Sequence, residues 1–301
     1  MPLASVQSML SRARKEGFAV GYFESWNIES LQGVIDAAEK TRSPVIVGFN
    51  GEFLSAEDRM AEERLAWYAA LGRAAAESAS VPCGLIFNEC ARDDWVERAV
   101  DLGFGLVMPA DAEAPLPEYT ARVKALASRA HAAGAAIEAE LGELPLGAGR
   151  GDHGDGQKTD PDAAAAFVRA TGVDLLAVSV GNVHVNLEGR QGLDLELLRR
   201  IAGGVPVPLV LHGGTGIESG NLGEAIQLGV AKVNYGTYLK QAYLAAVRDA
   251  LEVPEANPHA LLGMGGPRDV MTAGRMAVCN AVMDRIGLLG CVGKADEKGQ
   301  P

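Results

Sequence analysis

Short runs rich in Val, Ile and Leu recur along the chain, separated by longer segments whose apolar residues return every three or four positions. The runs are FAVGYFES from Phe18, PVIVGFN from Pro44, CGLIFN from Cys83, GLVMP from Gly105, AAIEAELG from Ala135, LLAVSVGN from Leu175, PLVLHGG from Pro208 and KVNYGT from Lys232. The segments between them, such as IESLQGVIDAAEK, AEDRMAEERLAWYAALGRAAAE and PEYTARVKALASRAHAAG, start near polar capping residues, and most end at Gly. Near-continuous apolar strands alternating with helices predict a parallel sheet covered on its outer face, and eight such units predict a closed (β/α)8 TIM barrel. Residues 1–252 are assigned to the barrel. Residues 253–301 are assigned to further helices of the same domain, ending in a polar tail, KADEKGQP, expected to be disordered.

The 301 residues are 48% hydrophobic and 22% charged, enough apolar surface for one large core. No run approaches the roughly 20 apolar residues that span a bilayer, so no membrane association is expected and a cytoplasmic location is the default. The formal charge of -12 excludes nucleic acid as a partner, because phosphate backbones need a basic face. It also means that a phosphate on a small substrate would be held by backbone amides and helix ends. Cys83, Cys90, Cys279 and Cys291 lack CxxC spacing and read as reduced structural thiols.

In a barrel of this kind, chemistry sits at the C-terminal ends of the strands. Polar residues collect there: Asn88 and Glu89 after the third run, Asp111 past the fourth, Glu138 and Glu140 in the fifth, His184 after the sixth, His212 closing the seventh and Asn234 in the eighth. His184 and His212 end consecutive strands, whose neighbouring ends lie about 5 Å apart, so the two imidazoles could share a divalent metal ion. Glu89 or Glu140 would complete a His2Glu set with an open position for substrate. The turns GGTG, from Gly213 to Gly216, and NYGT, from Asn234 to Thr237, each lead into a helix, and Gly213, Thr215, Asn234 and Thr237 form a candidate phosphate cradle. A glycine-rich insertion, Gly147 to Gly156, reads as a lid or a plain surface loop.

These motifs resemble the class II metal-dependent ketose-bisphosphate aldolases, the fructose- and tagatose-bisphosphate aldolases. The resemblance runs over GFAVGYFESWNIESLQGVIDAAEKTRSPVIVG, IEAELG, TDPDAAAAFVRATGVDLLAVSVGNVH, VPLVLHGGTG and LGVAKVNYGTYLK. It implies zinc held by His184 and His212, Glu140 as an additional metal-site carboxylate, and a dihydroxyacetone-phosphate portion held by Gly213, Thr215, Asn234 and Thr237. It further implies an aldol cleavage through a metal-stabilised enediolate on a small ketose phosphate or polyhydroxy ketone, in a homo-dimer or homo-tetramer.

The third strand departs from the family pattern, reading IFNE from Ile86 where relatives carry HLDH. Asn88 stands in the place of the catalytic aspartate and Glu89 in that of a third zinc histidine. A carboxamide can orient a hydroxyl but cannot take its proton, so the acid/base is open, and Glu89 reads either as metal ligand or as that acid/base. Ala110, Val185, the Pro145-Leu146 pair and Met283 also replace characteristic residues, the last standing where many relatives carry an arginine for a second phosphate. The alternatives to a lyase are an isomerase, epimerase or decarboxylase sharing the enediolate, and a non-catalytic sugar-phosphate-binding barrel.

Overall fold

The structure, a computed structural model, describes residues 3–111, 114–142, 157–182, 192–252 and 254–295. Its strands are β1 (Val20–Glu24), β2 (Val45–Asn50), β3 (Cys83–Cys90), β4 (Leu106–Pro109), β5 (Ala136–Leu141), β6 (Leu175–Val178), β7 (Leu209–Leu211) and β8 (Val230–Tyr235). Each pairs in parallel with the next, and β8 closes on β1, so the eight form a complete barrel. Closure removes the exposed edges that an open sheet must protect. The apolar runs are buried on both faces as their composition predicts, β2 and β3 along their whole lengths.

The outer layer comprises α1 (Val6–Glu16), α2 (Ile28–Thr41), α3 (Gly51–Ser55), α4 (Leu65–Ser78), α5 (Asp93–Asp101), α6 (Leu116–Ala132), α7 (Pro161–Thr171), α8 (Leu195–Gly204), α9 (Ser219–Gln227), α10 (Thr237–Glu252), α11 (Pro258–Leu261) and α12 (Val270–Leu289). Local chemistry sets many of their ends. Asn27 and Ser30 form a reciprocal capping box on α2, Asp160 and Asp194 cap α7 and α8, and Gly17 and Gly172 close α1 and α7 in the left-handed region.

Several boundaries differ from the sequence expectation. The segment from Ala56 to Arg64 is not the start of a long helix; α3 ends at Ser55 and α4 begins at Leu65, where the first buried side chain appears. The helix α1 precedes the first strand and buries Val6, Met9, Leu10 and Ala13. The eighth strand begins at Val230 rather than Lys232, and the sixth ends at Val178. The GGTG turn is a short 3-10 segment, Gly214–Gly216, separated from α9. Within the polar tail, Lys294 and Ala295 are docked: the amide of Ala295 donates to Arg42 O at 2.9 Å, and the Lys294 ammonium pairs with Glu16 at 3.1 Å. Residues 296–301 lie outside the described residues.

The last helix is integral to the packing. Val278, Val282, Ile286 and Leu289 of α12 are fully buried in the same core cluster as the strands, and α12 packs on α2 and α10. Arg275 of α12 also forms a bidentate pair with Asp36 of α2, at 2.6 and 2.7 Å.

The approach of β2 to β3 depends on Gly48, where a Cβ would lie 2.0 Å from the backbone oxygen of Ile86. Since the obstruction is main chain in a closed barrel, Gly48→Ala is expected to destabilise the protein by about 3 kcal/mol in urea unfolding. A change below about 0.5 kcal/mol would mean that the strands are not so closely apposed.

Candidate active site

The imidazole of His212 lies one residue past β7 and is 1% exposed. Its Nε2 is 3.0 Å from Glu138 Oε1, while its Nδ1 is 3.2 Å from Glu140 Oε2 and 3.5 Å from Glu89 Oε1. Glu138 and Glu140 both come from β5, and pleating alone would aim residues two apart to the same side. Glu89 arrives by another route.

On β3, Asn88 and Glu89 lie within the strand rather than after it. Phe87 pairs with Val107 and Cys90 with Pro109, so three steps on β3 match two on β4, which is a β-bulge. Glu89 takes a φ of 55°, one of two positive-φ non-glycine residues among those described. A glutamate there is strained, and such strain persists only where surrounding contacts fix it. The contacts are Asn50 Nδ2, which donates to Glu89 Oε2 at 2.8 Å, and His212. Without the bulge, neighbouring residues 88 and 89 would point to opposite faces; with it, both line one cavity.

That cavity, open to solvent, is bounded by Tyr22 and Glu24 of β1, Asn50 of β2, Asn88 and Glu89 of β3, and His212. Gly213, Thr215, Asn234 and Thr237 also line it, so all four candidate phosphate-cradle residues meet at one place. Thr237 opens α10, whose amide-rich N-terminus favours an anion. Lys240, one turn into α10, lines the same cavity and pairs with Glu24 at 2.6 Å.

Beneath the cavity lies a fully buried ion pair, with Lys232 Nζ 2.8 Å from Glu138 Oε2 and 2.7 Å from Asn234 Oδ1. Burial alone would raise the Glu138 pKa, but Lys232 and His212 outweigh it and hold the carboxyl below the usual range. At His212 burial opposes charge, yet Glu140, Glu138 and Glu89 overcome it and raise the imidazole pKa to about 10. Three carboxylates thus surround one buried imidazole, with a lysine ammonium beside them.

Among the described residues, no three His, Cys, Asp or Glu donors converge as a finished metal centre. His184 and Val185 lie outside the described residues, as do Pro145, Leu146 and the lid candidate Gly147 to Gly156. The chain that leads toward His184 is anchored at Asn182, whose Nδ2 donates to His212 O at 3.1 Å. Asp111, past the end of β4, pairs with Arg122 and lines a neighbouring cavity together with Glu140. Met283 packs against the core, and all four cysteines are buried and free. Glu24, Asn50, Lys232 and Lys240 were not singled out from sequence, although a lysine inside the apolar strand VAKVNY is itself a signal, because buried lysines require a partner.

The fold and this rim define a (β/α)8-barrel protein with an imidazole set among carboxylates where barrels hold their active sites. The family described as class-II fructose-bisphosphate aldolase matches residues 4–294. A fructose-bisphosphate aldolase of Streptococcus pyogenes serotype M3 is 32% identical over 299 residues, covering 98% of this chain and all of the relative. Among solved structures, the YdjI aldolase from Escherichia coli K12 superposes with a TM-score of 0.82 at 31% identity, covering 98% of this chain and 100% of that one. Fructose-bisphosphate aldolase from Campylobacter jejuni superposes at 0.78 with 25% identity, covering 97% of each chain. The chain belongs to the class II fructose-bisphosphate aldolase family of aldolase-type lyases.

Because the folded His212 pKa is raised from 6.5 to about 10, this group stabilises the metal-free protein fully below about pH 6.5 and loses that contribution as pH rises through 10. The melting temperature of metal-free protein should accordingly fall between pH 7 and 10, more steeply than in His212→Gln. Equal slopes for the two proteins would contradict the raised pKa.

Proposed function

We propose that the protein is a metal-dependent lyase that cleaves a small ketose phosphate, with His212, His184 and Glu89 holding a divalent ion, zinc by preference, and Glu140 beside it. The observation that carries this reading is the convergence of Glu89, Glu138 and Glu140 on one buried imidazole. With His212 neutral, the three carboxylates and the Lys232 ammonium sum to a charge of -2, which a divalent ion balances. Nitrogen and carboxylate oxygen donors are also the set that suits zinc. When bound, the ion would polarise the substrate carbonyl.

The remaining steps fall to the protein. Glu138 accepts the Nε2 proton of His212, so Nδ1 faces the other carboxylates. Gly213, Thr215 and Thr237, with the N-terminus of α10, hold the phosphate by amides and hydroxyls. Asn88 orients the hydroxyl on the carbon to be cleaved; that proton passes to a carboxylate of the cavity, the carbon-carbon bond breaks to give an aldehyde and an enediolate, and a proton returned to the enediolate carbon completes the reaction. Asn88 cannot accept the proton, and its Oδ1 is buried with no partner among the described residues, ready for a hydroxyl donor.

Glu89 is assigned to the metal because its two oxygens are already committed to Asn50 and toward His212. Glu89→Gln should raise the zinc Kd at least about tenfold and abolish cleavage in a screen of ketose phosphates and unphosphorylated ketoses. Zinc binding at the wild-type level with turnover lost would make Glu89 the acid/base. Hydrogen exchange at the ketone carbon of every substrate, without cleavage, would replace the lyase by an isomerase or epimerase. Wild-type protein that takes up no divalent ion would remove both.

A cytoplasmic homo-oligomer, dimer or tetramer, is part of the same reading. Exposed Leu244, Leu251, Leu262, Met264 and Met276, contributed by α10, α12 and the chain between α11 and α12, support it, since such apolar side chains favour burial against a second copy. Light scattering should give two or four times the 31.4 kDa of one chain, and a monomeric mass would overturn this part.

A further inference from the structure

We infer that Lys232 is a positioning residue that sets two parts of the site at once: which face of the Asn234 carboxamide meets the substrate, and how the His212 imidazole is presented. The argument begins from what an ammonium can do. It carries three donors and no lone pair, so the Asn234 atom 2.7 Å from Lys232 Nζ must be the oxygen. That fixes the amide, whose Nδ2 is turned away from Lys232, is buried and has no hydrogen-bond partner among the described residues. Asn234 lines the cavity, so the group it offers there is a donor. The substrate atom that meets it has to be an acceptor, such as a phosphate, carbonyl or enediolate oxygen.

The second half runs through Glu138. Lys232 Nζ lies 3.1 Å from Glu138 Oε1 and 2.8 Å from Oε2, and both side chains are 0% exposed. An ionised carboxylate only accepts, so the His212 Nε2 at 3.0 Å from Oε1 must carry a proton, and when the imidazole is neutral its lone pair is on Nδ1. Glu138 can remain ionised at this depth because Lys232 is beside it. The chain Asn234, Lys232, Glu138, His212 therefore joins β8, β5 and β7 and ties the substrate side of the cavity to the imidazole side. A merely structural ion pair would be replaceable by neutral groups without hydrogen-bond donors; a positioning residue would need its donor.

The test compares full-length wild type with Lys232→Met and with Lys232→Met/Glu138→Gln, which removes the carboxylate that the first change strands. The single variant should melt well below wild type, and the double should recover most of the loss. In a metal-free crystal structure of the double, the Asn234 amide should be turned from its wild-type orientation. Its zinc Kd, by chelator competition, should be about 10- to 100-fold weaker than wild type. Lys232→Gln/Glu138→Gln, which returns a donor without a charge, should restore the Asn234 orientation. A metal-free double variant that keeps the wild-type orientations of both Asn234 and His212 reduces Lys232 to a counter-charge and overturns the inference. Wild-type zinc affinity in the double overturns its His212 half. The zinc arm rests on the metal reading above: wild-type protein that takes up no zinc overturns that reading, while the metal-free structures still decide the role of Lys232.

Discussion

Burying charge inside a barrel is costly, and the interaction on which this site depends is the one that makes it tolerable: Glu138, at 0% exposure, accepts from His212 on one side and Lys232 on the other. An isolated carboxylate at that depth would face several kcal/mol of lost hydration. With both cations present it stays ionised, fixes an imidazole nitrogen and leaves the opposite nitrogen turned toward Glu140 and Glu89. The strands β5, β7 and β8 are thereby joined by polar contacts across the barrel interior as well as by backbone ladders at its wall. A closed barrel suits this arrangement, since its wall is rigid and its interior excludes water.

The third strand shows how a backbone irregularity redirects neighbouring side chains. The IFNE run would, as a regular strand, send Asn88 and Glu89 to opposite faces. The bulge between Phe87 and Cys90, together with the left-handed backbone at Glu89, brings both to the cavity. The strain is held by Asn50 from β2, whose Oδ1 also caps α3 through the Phe53 amide at 3.1 Å. In this member of the class II aldolase family, Asn50, Asn88 and Glu89 thus line one cavity.

The side of the cavity proposed for phosphate follows a different logic. In a chain of charge -12, an anion is held less by free cations than by donors built into the fold. Gly213, in the left-handed region at φ 65°, Thr215 and the start of α10 supply such donors on one wall of the cavity. Lys240 stands at the same wall already paired with Glu24, and Gly236 leaves room for that carboxylate, since a Cβ there would lie 2.2 Å from Glu24 Oε2. The cation is thus held in place by a neighbour rather than left on a freely moving side chain.

Much of this was legible in the order of residues. Strand burial on two faces appears as a continuous apolar run, and a position at a strand end follows from where that run stops, so the barrel and the rim placement of Glu140, His212 and Asn234 were local properties, whereas Glu138 lies deeper, beneath the cavity. The turn glycines and threonines were local too, and their meeting in one cavity followed from barrel closure. Other features depended on residues far apart in the chain. The face taken by Glu89 is decided by a bulge against β4 and by Asn50, the burial of α1 and α12 by surfaces that exist only once the barrel has closed, and the partner of Asp111 by the position of Arg122 on α6. The raised pKa of His212 and the partners of Lys232 depend on carboxylates brought together from β3 and β5. Sequence alone determined which residues reach the rim, because strand period and strand ends are set locally. Only the tertiary structure decided which of them share a charge, because that sharing exists only across neighbouring strands.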